Sequence, residues 1–235
     1  MTDSYFFFLT KNHPLFKEVK NLFPKNQIHI VDQATSIAEF KVAPPLMKDS
    51  SCTLIDLTLF WDGTKKTEFL QKLDTQFSIP IISDLSCYDG ETLLKKIPSL
   101  LGAIASSFPS PRKSMEFYSS NILIKDIIFN LGNIFNLSPI EVTTPGFGFI
   151  YPRTLSLIIN EAYFALEEHL ATQEDIDCAM KFGVNYPLGP FEWADTIGLD
   201  KIYILLNELL EKTGQTRYKP SQHLYKEAKK YLSLN

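Results

Sequence analysis

Glycine is scarce where a nucleotide-binding chain would need it. The chain has 235 residues and only 10 glycines, the first of them Gly63. A pyrophosphate is gripped by backbone N–H groups at a tight turn, and glycine lets the backbone come that close. The first sixty residues offer no such turn. Cysteine is scarce too: Cys52, Cys87 and Cys178 are scattered, odd in number and without metal-ligand spacing. That excludes a disulfide framework or a zinc site and suits thiols in a reducing cytoplasm. There is no excess of positive charge, since 23 Lys and Arg face 27 Asp and Glu for a net charge of −4. A general nucleic-acid binder is therefore not expected. No apolar run approaches the length of a membrane span. Tyr5–Leu9 is too short for a signal peptide, so the expectation is a cytoplasmic protein with no membrane partner. Histidine is missing from the middle of the chain, with none between His29 and His169.

What is present reads as alternating elements followed by helices. YFFFLT at 5–10 is a short apolar run suited to a buried strand. Leu15, Val19 and Leu22 then share a helical face that Pro24 stops. QIHIVD at 27–32 is a second strand ending in Asp32. Strand, helix and strand closing on an acid is how a dinucleotide-binding domain begins. The turn between them, TKNHPLF, is expected to be solvated, although Lys11 and His13 could hold an anion. Only 21 residues separate Asp32 from Leu54, enough for a short crossover. Strands follow around Leu54–Leu57 and in SIPIISDLSC at 78–87. Asp84 and Ser86 there suit an ordinary turn. A helix over 121–135 is expected to bury Ile124, Ile127, Ile128, Leu131 and Ile134.

From Pro152 onward the pattern is helical. Leu155, Ile159, Ala162, Leu166 and Leu170 recur at three-and-four spacing on one expected buried face. Thr172 opens a second helix with Asp175 three residues on, close to a capping box, and that helix is expected to bury Ile176 and Met180. VNYPLGP leads to Pro190 as the start of a third. Ile202, Leu205, Leu206, Leu209 and Leu210 line a long fourth that Gly214 ends, and Ser221 caps a last one.

The wording of this half is more specific than its periodicity. NEA at 160–162, ATQEDID at 171–177, GVNYPLGPFEWADTIGLD at 183–200, KTG at 212–214 and RYKPS at 217–221 stand in order. Together they resemble the C-terminal domain of the 3-hydroxyacyl-CoA dehydrogenase family, over roughly 144–223. The resemblance implies a reduced Rossmann-like sheet domain over 1–143, degenerate as a dinucleotide site. A helical domain of about five helices over 144–235 would follow, serving dimerisation and substrate binding.

By that resemblance the family reaction is NAD-linked oxidation of a 3-hydroxyacyl-CoA. Asp32 matches the acid that binds the adenosine ribose of NAD, and Ser86 is nearest the serine that contacts substrate. Glu116 stands at the acid that orients the catalytic histidine. The histidine itself falls on Ala105, or on Ile104 if no gap is allowed, and neither accepts a proton. Arg153 is kept from an Asn–Arg pair whose Asn is replaced by Pro152. The span between Asp32 and Leu54 is too short for the helical hairpin that grips CoA. The expectation is a weak or inactive family member with no metal, forming a homodimer through its helical half. The alternative is a non-catalytic acyl-CoA-binding or regulatory scaffold.

Overall fold

The computed structural model describes residues 4–31 and 52–232. Asp32 and nearly all of the expected crossover lie outside the described residues. Seven described strands form one sheet in the order β2-β1-β3-β4-β5-β6-β7. They are β1 Ser4–Leu9, β2 Ile28–Ile30, β3 Cys52–Leu57, β4 Ile81–Asp84, β5 Leu100–Ile104, β6 Ser114–Ser119 and β7 Ser138–Glu141. Every neighbouring pair is parallel except β5 with β6. The strand order reverses between β1 and β3: the connection leaving β1 runs to β2 on one side, and that leaving β3 runs to β4 on the other. In open α/β sheets the crevice at such a switch point, beyond the carboxyl ends of the strands, is where ligands sit.

The elements start and stop where local chemistry says they should. Helix α1 is Phe16–Leu22, α2 Gly63–Phe77, α3 Gly90–Lys96 and α4 Ile122–Ile134. Asp62, Asp89 and Asn121 cap α2, α3 and α4 by accepting the N–H of Lys65, Thr92 and Ile124. β3 is buried along its whole length, as a strand covered on both faces must be. One layer of core packs Phe7, Leu9, Ile55, Phe117 and Ile128 under α1 and α4.

The helical half comprises α5 Tyr151–Glu167, α6 Gln173–Gly183, α7 Pro190–Ile197, α8 Leu199–Thr213 and α9 Gln222–Leu232. These five described helices match the expected number. Pro152 lies in the first turn of α5, Thr172 caps α6, Gly214 ends α8 in a left-handed conformation, and Ser221 Oγ accepts the Leu224 N–H. Ile202, Leu205, Leu206 and Leu209 of α8 are fully buried. Each such side chain contributes about 1.5–3 kcal/mol. Their core is continuous with the other face of the sheet, through Leu59, Phe60, Tyr88, Phe108 and Phe149.

Six residues expected on buried faces are not fully buried, and of these Ile127 and Leu166 are half-buried. Leu170 is 71% exposed, because α5 ends at Glu167 and the chain turns away through His169 at positive φ. Ile134 is exposed at the last turn of α4. Ile176 and Met180 are half-buried. Helix α6 packs on α7 at the periphery, and its one buried residue is Asp177. That carboxylate accepts the N–H groups of Phe191 and Glu192, so it caps α7 from a neighbouring helix.

Candidate functional site: the carboxyl end of the sheet

The turn after β1 folds inward. His13, expected in a solvated turn, is 2% exposed. Its Nδ1 accepts the Leu15 N–H at 3.1 Å, which leaves the ring proton on Nε2. Nε2 lies 3.1 Å from Asp84 Oδ2, at the end of β4. The second half of the turn has also used up its backbone donors. The His13 N–H goes to Thr10 O and the Phe16 N–H to His13 O. Pro14 has no N–H, and the Leu15 N–H is held by the ring. The four consecutive residues 13–16 therefore aim no amide proton at a bound anion.

Asp84 is the hub of what replaces it. Oδ2 accepts from Ser106 N at 3.1 Å, Ser106 Oγ at 2.5 Å and Ser107 Oγ at 2.9 Å, besides His13. Oδ1 accepts from Ser86 N at 2.8 Å and Ser86 Oγ at 2.5 Å. Burial alone would raise this carboxyl. The His13 ring and the hydroxyls of Ser106 and Ser86 outweigh it and hold the group well below the ordinary carboxylate range. The expectation of ordinary turn residues at Asp84 and Ser86 is corrected: both are fully buried.

The cluster resembles a nucleophile–base–acid triad in composition but not in wiring. A triad needs the acid on one ring nitrogen and the hydroxyl on the other. Here Ser106 Oγ, at 3.4 Å, and Asp84 face the same Nε2, and the other nitrogen is taken by backbone. Cys87 beside it is no better a nucleophile, since burial and the Asp84 charge push its thiol up.

A second buried pair stands next to this one. Lys66 Nζ lies 2.7 Å from Asp56 Oδ2 with both side chains fully buried. Lys66 also donates to Thr58 O at 2.7 Å, and Asp56 accepts from Ser83 Oγ at 2.6 Å and from Thr58 Oγ1 at 2.6 Å. Over both pairs sits the start of α8. Asn12 Nδ2 reaches Asp200 Oδ2 at 3.4 Å, and Cys87 Sγ donates to Lys201 O at 3.6 Å. Gly148 of the linking segment, at φ +68, leaves no room for a Cβ, which would meet the Ser86 carbonyl and Leu205.

The other residues matched from the sequence are spread apart. Glu116 Oε2 accepts the N–H groups of Ile150 and Tyr151 at 3.0 Å each, as a side chain stabilising the first turn of α5. Ser86 belongs to the Asp84 cluster. Arg153 donates to the hydroxyl of Tyr218, and its guanidinium lies over that ring at 5.3 Å. Asp32 is outside the described residues, and no cluster of metal-ligand type occurs among those that are described. The sequence reading missed His13 and Asp84 as partners. A histidine and an acid 71 positions apart share no periodicity; the Ser–Ser at 106–107 gave no hint that it faced Asp84.

Residues 148–231 match the family described as 3-hydroxyacyl-CoA dehydrogenase, C-terminal domain. The helical half belongs to the 3-hydroxyacyl-CoA dehydrogenase family. The family likeness reaches into the sheet: the 3-hydroxybutyryl-CoA dehydrogenase of Clostridioides difficile is 31% identical over 166 residues, 69% of this chain and 58% of that protein. The 3-hydroxyadipyl-CoA dehydrogenase of Escherichia coli is 43% identical over 81 residues, 34% of this chain. The chain thus spans 17% and 58% of these two relatives' lengths. The crystal structure of the (S)-3-hydroxybutyryl-CoA dehydrogenase from Ralstonia eutropha superposes with a TM-score of 0.58 at 24% identity, over 85% of this chain and 69% of that one. It shares the fold: a Rossmann-like sheet followed by family helices. No described helix is long and apolar enough to cross a membrane.

Proposed function

We propose that this family member has given up NAD-linked hydride transfer and works in the cytoplasm as a non-catalytic dimeric protein of acyl-CoA metabolism, an acyl-CoA-binding or regulatory scaffold. The observation that carries the reading is the His13–Asp84 contact. It buries the protein's own side chains at the carboxyl end of the sheet, beside the turn where a dinucleotide pyrophosphate would require open amides. The residues present do not fit NAD. The general-base position supports the same reading, because Ala105 and Ile104 cannot take a hydroxyl proton, a function commonly worth 10²–10⁴ in rate. Glu116 is engaged with backbone. Dimerisation is supported by exposed apolar residues on the helical half: Leu170, Phe182 and Val184, with Phe182 83% exposed.

The test is a thermal shift with NAD and NADH, together with NADH oxidation in the presence of acetoacetyl-CoA. No shift and no oxidation are expected. Turnover of acetoacetyl-CoA would restore the dehydrogenase reading. Sedimentation at micromolar concentration is expected to give a dimer, and a monomer there would remove the scaffold's assembly from the proposal.

A further inference from the structure

A cavity of about 370 Å³ opens between the loop after β5 and the helices α5 and α7. It is separate from the Asp84 cluster and holds neither Ser86 nor Glu116 nor Arg153. Its walls are Leu155 and Ile158 of α5, Pro111 and Pro187, and the rings of Tyr151, Tyr186 and Trp193. Tyr186 and Trp193 meet edge to face at 5.4 Å. The size and the apolar lining are those of a small-molecule site, about 300–1,000 Å³ with a few placed polar groups.

The polar groups are the informative part. Trp193 is 5% exposed, and its indole Nε1 lacks a hydrogen bond of good geometry, as does the hydroxyl of Tyr151. Buried donors of this kind normally have a partner. The indole N–H lies close enough to the phenol oxygen to pull the Tyr151 pKa down, while burial, the larger effect, raises it. An N–H leaning on the oxygen leaves the phenol proton as the donor to spare. At the rim stands Arg112, which makes no ion pair among the described residues. Ser110 and Ser114, bonded to each other at 3.0 Å, complete that side. A cation and a phenol donor at one side of apolar walls are complementary to one ligand chemistry: an apolar body ending in a single carboxylate.

We infer that this cavity binds a small apolar monocarboxylate, with its carboxylate between Arg112 and the Tyr151 hydroxyl and its body against Trp193, Leu155 and Ile158. The inference rests on reading the chain as a binding protein, and it is tested without nucleotide or CoA so that the two fail separately. Trp61 and Trp193 are the chain's two tryptophans. In the full chain carrying Trp61→Phe, the fluorescence therefore reports on the cavity alone. Phenylacetate and hexanoate are the probes, and they distinguish an aromatic from an aliphatic body. A saturable change in Trp193 emission is expected with at least one acid. Binding should weaken about tenfold in Arg112→Gln and in Tyr151→Phe, the scale of losing one hydrogen bond to a charged group. Arg112 is exposed in a turn, so its replacement leaves the fold intact. No response to either acid would overturn the inference, as would equal binding by both variants or equally tight binding of phenylacetamide, which lacks the charge.

Discussion

The carboxyl end of the sheet and the helical half differ in what they have kept. At the sheet end, polar and charged side chains are buried and paired with one another: His13 with Asp84, Lys66 with Asp56. In the helical half the interior is mostly apolar; Asp177 and Ser221 cap helix ends, and the buried Asp200–Lys201 pair and Glu208 lie on α8, where it meets the sheet domain. The comparison teaches that family likeness in helix packing and retention of a cofactor crevice are separate properties. Apolar packing survives any change that keeps shape and hydrophobicity. A phosphate site needs unoccupied amides at one turn, and here residues 13–16 offer none: the His13 ring holds the Leu15 N–H, carbonyls hold those of His13 and Phe16, and Pro14 has none.

The contrast can be broken at the buried pairs first. Lys66→Ala leaves the Asp56 carboxylate in the core without its cation and is expected to cost about 3–5 kcal/mol in urea unfolding. A loss near zero would mean that the pair is open to water. Gly148→Ala comes next. A Cβ there would lie 2.8 Å from Ser86 O and 2.4 Å from Leu205, at a φ of +68. Strain of about 1–3 kcal/mol is expected, read as a lower unfolding midpoint. A neutral result would show the linking segment free to shift off the sheet.

Acid should reveal the Asp84 cluster. Its carboxyl is held below the ordinary value near 4. A depressed acid contributes stability that is fully present above the unfolded pKa and is lost as pH falls from there toward the folded one. Denaturation midpoints should therefore drop between about pH 5 and pH 2 in the native chain, and less steeply in Asp84→Asn. Equal slopes would place the acid sensitivity in other carboxylates.

Glu208 tests the reverse sign. Burial raises its pKa, so its charged form weighs against folding, and the penalty grows as pH rises through the folded value. Glu208→Gln is expected to raise the melting temperature at neutral pH by a few degrees and to do nothing in acid. A drop at neutral pH would mean that the carboxylate is stabilised by the start of α2, whose Gly63 it abuts. The smallest effect is on the helical surface. Phe182→Asp should change the folding stability of the protomer by no more than about 0.5 kcal/mol while weakening self-association. Unchanged sedimentation would place any dimer contact elsewhere.

Much of the fold was legible because local signals suffice for it. Pro152, Thr172, Gly214 and Ser221 mark helix ends by chemistry confined to a few neighbouring residues. The candidate site was less legible. Glu116 was found by its wording, yet its partners turned out to be the amides of Ile150 and Tyr151, 34 and 35 positions away. Ile176 and Met180 obeyed helical spacing but lie on a peripheral helix that packs chiefly on α7, so the apolar stripe stayed half-buried.

The sequence by itself determined the strand-and-helix alternation, the helical half and the want of glycine before Gly63, since each of these is written in contiguous residues. Only the tertiary structure decided that His13 turns inward onto Asp84, that Ser106 and Ser107 meet the same carboxylate, and that Trp193 and Tyr151 face one cavity. Such pairings depend on which strand ends the sheet order brings together, and no local pattern along the chain encodes that order.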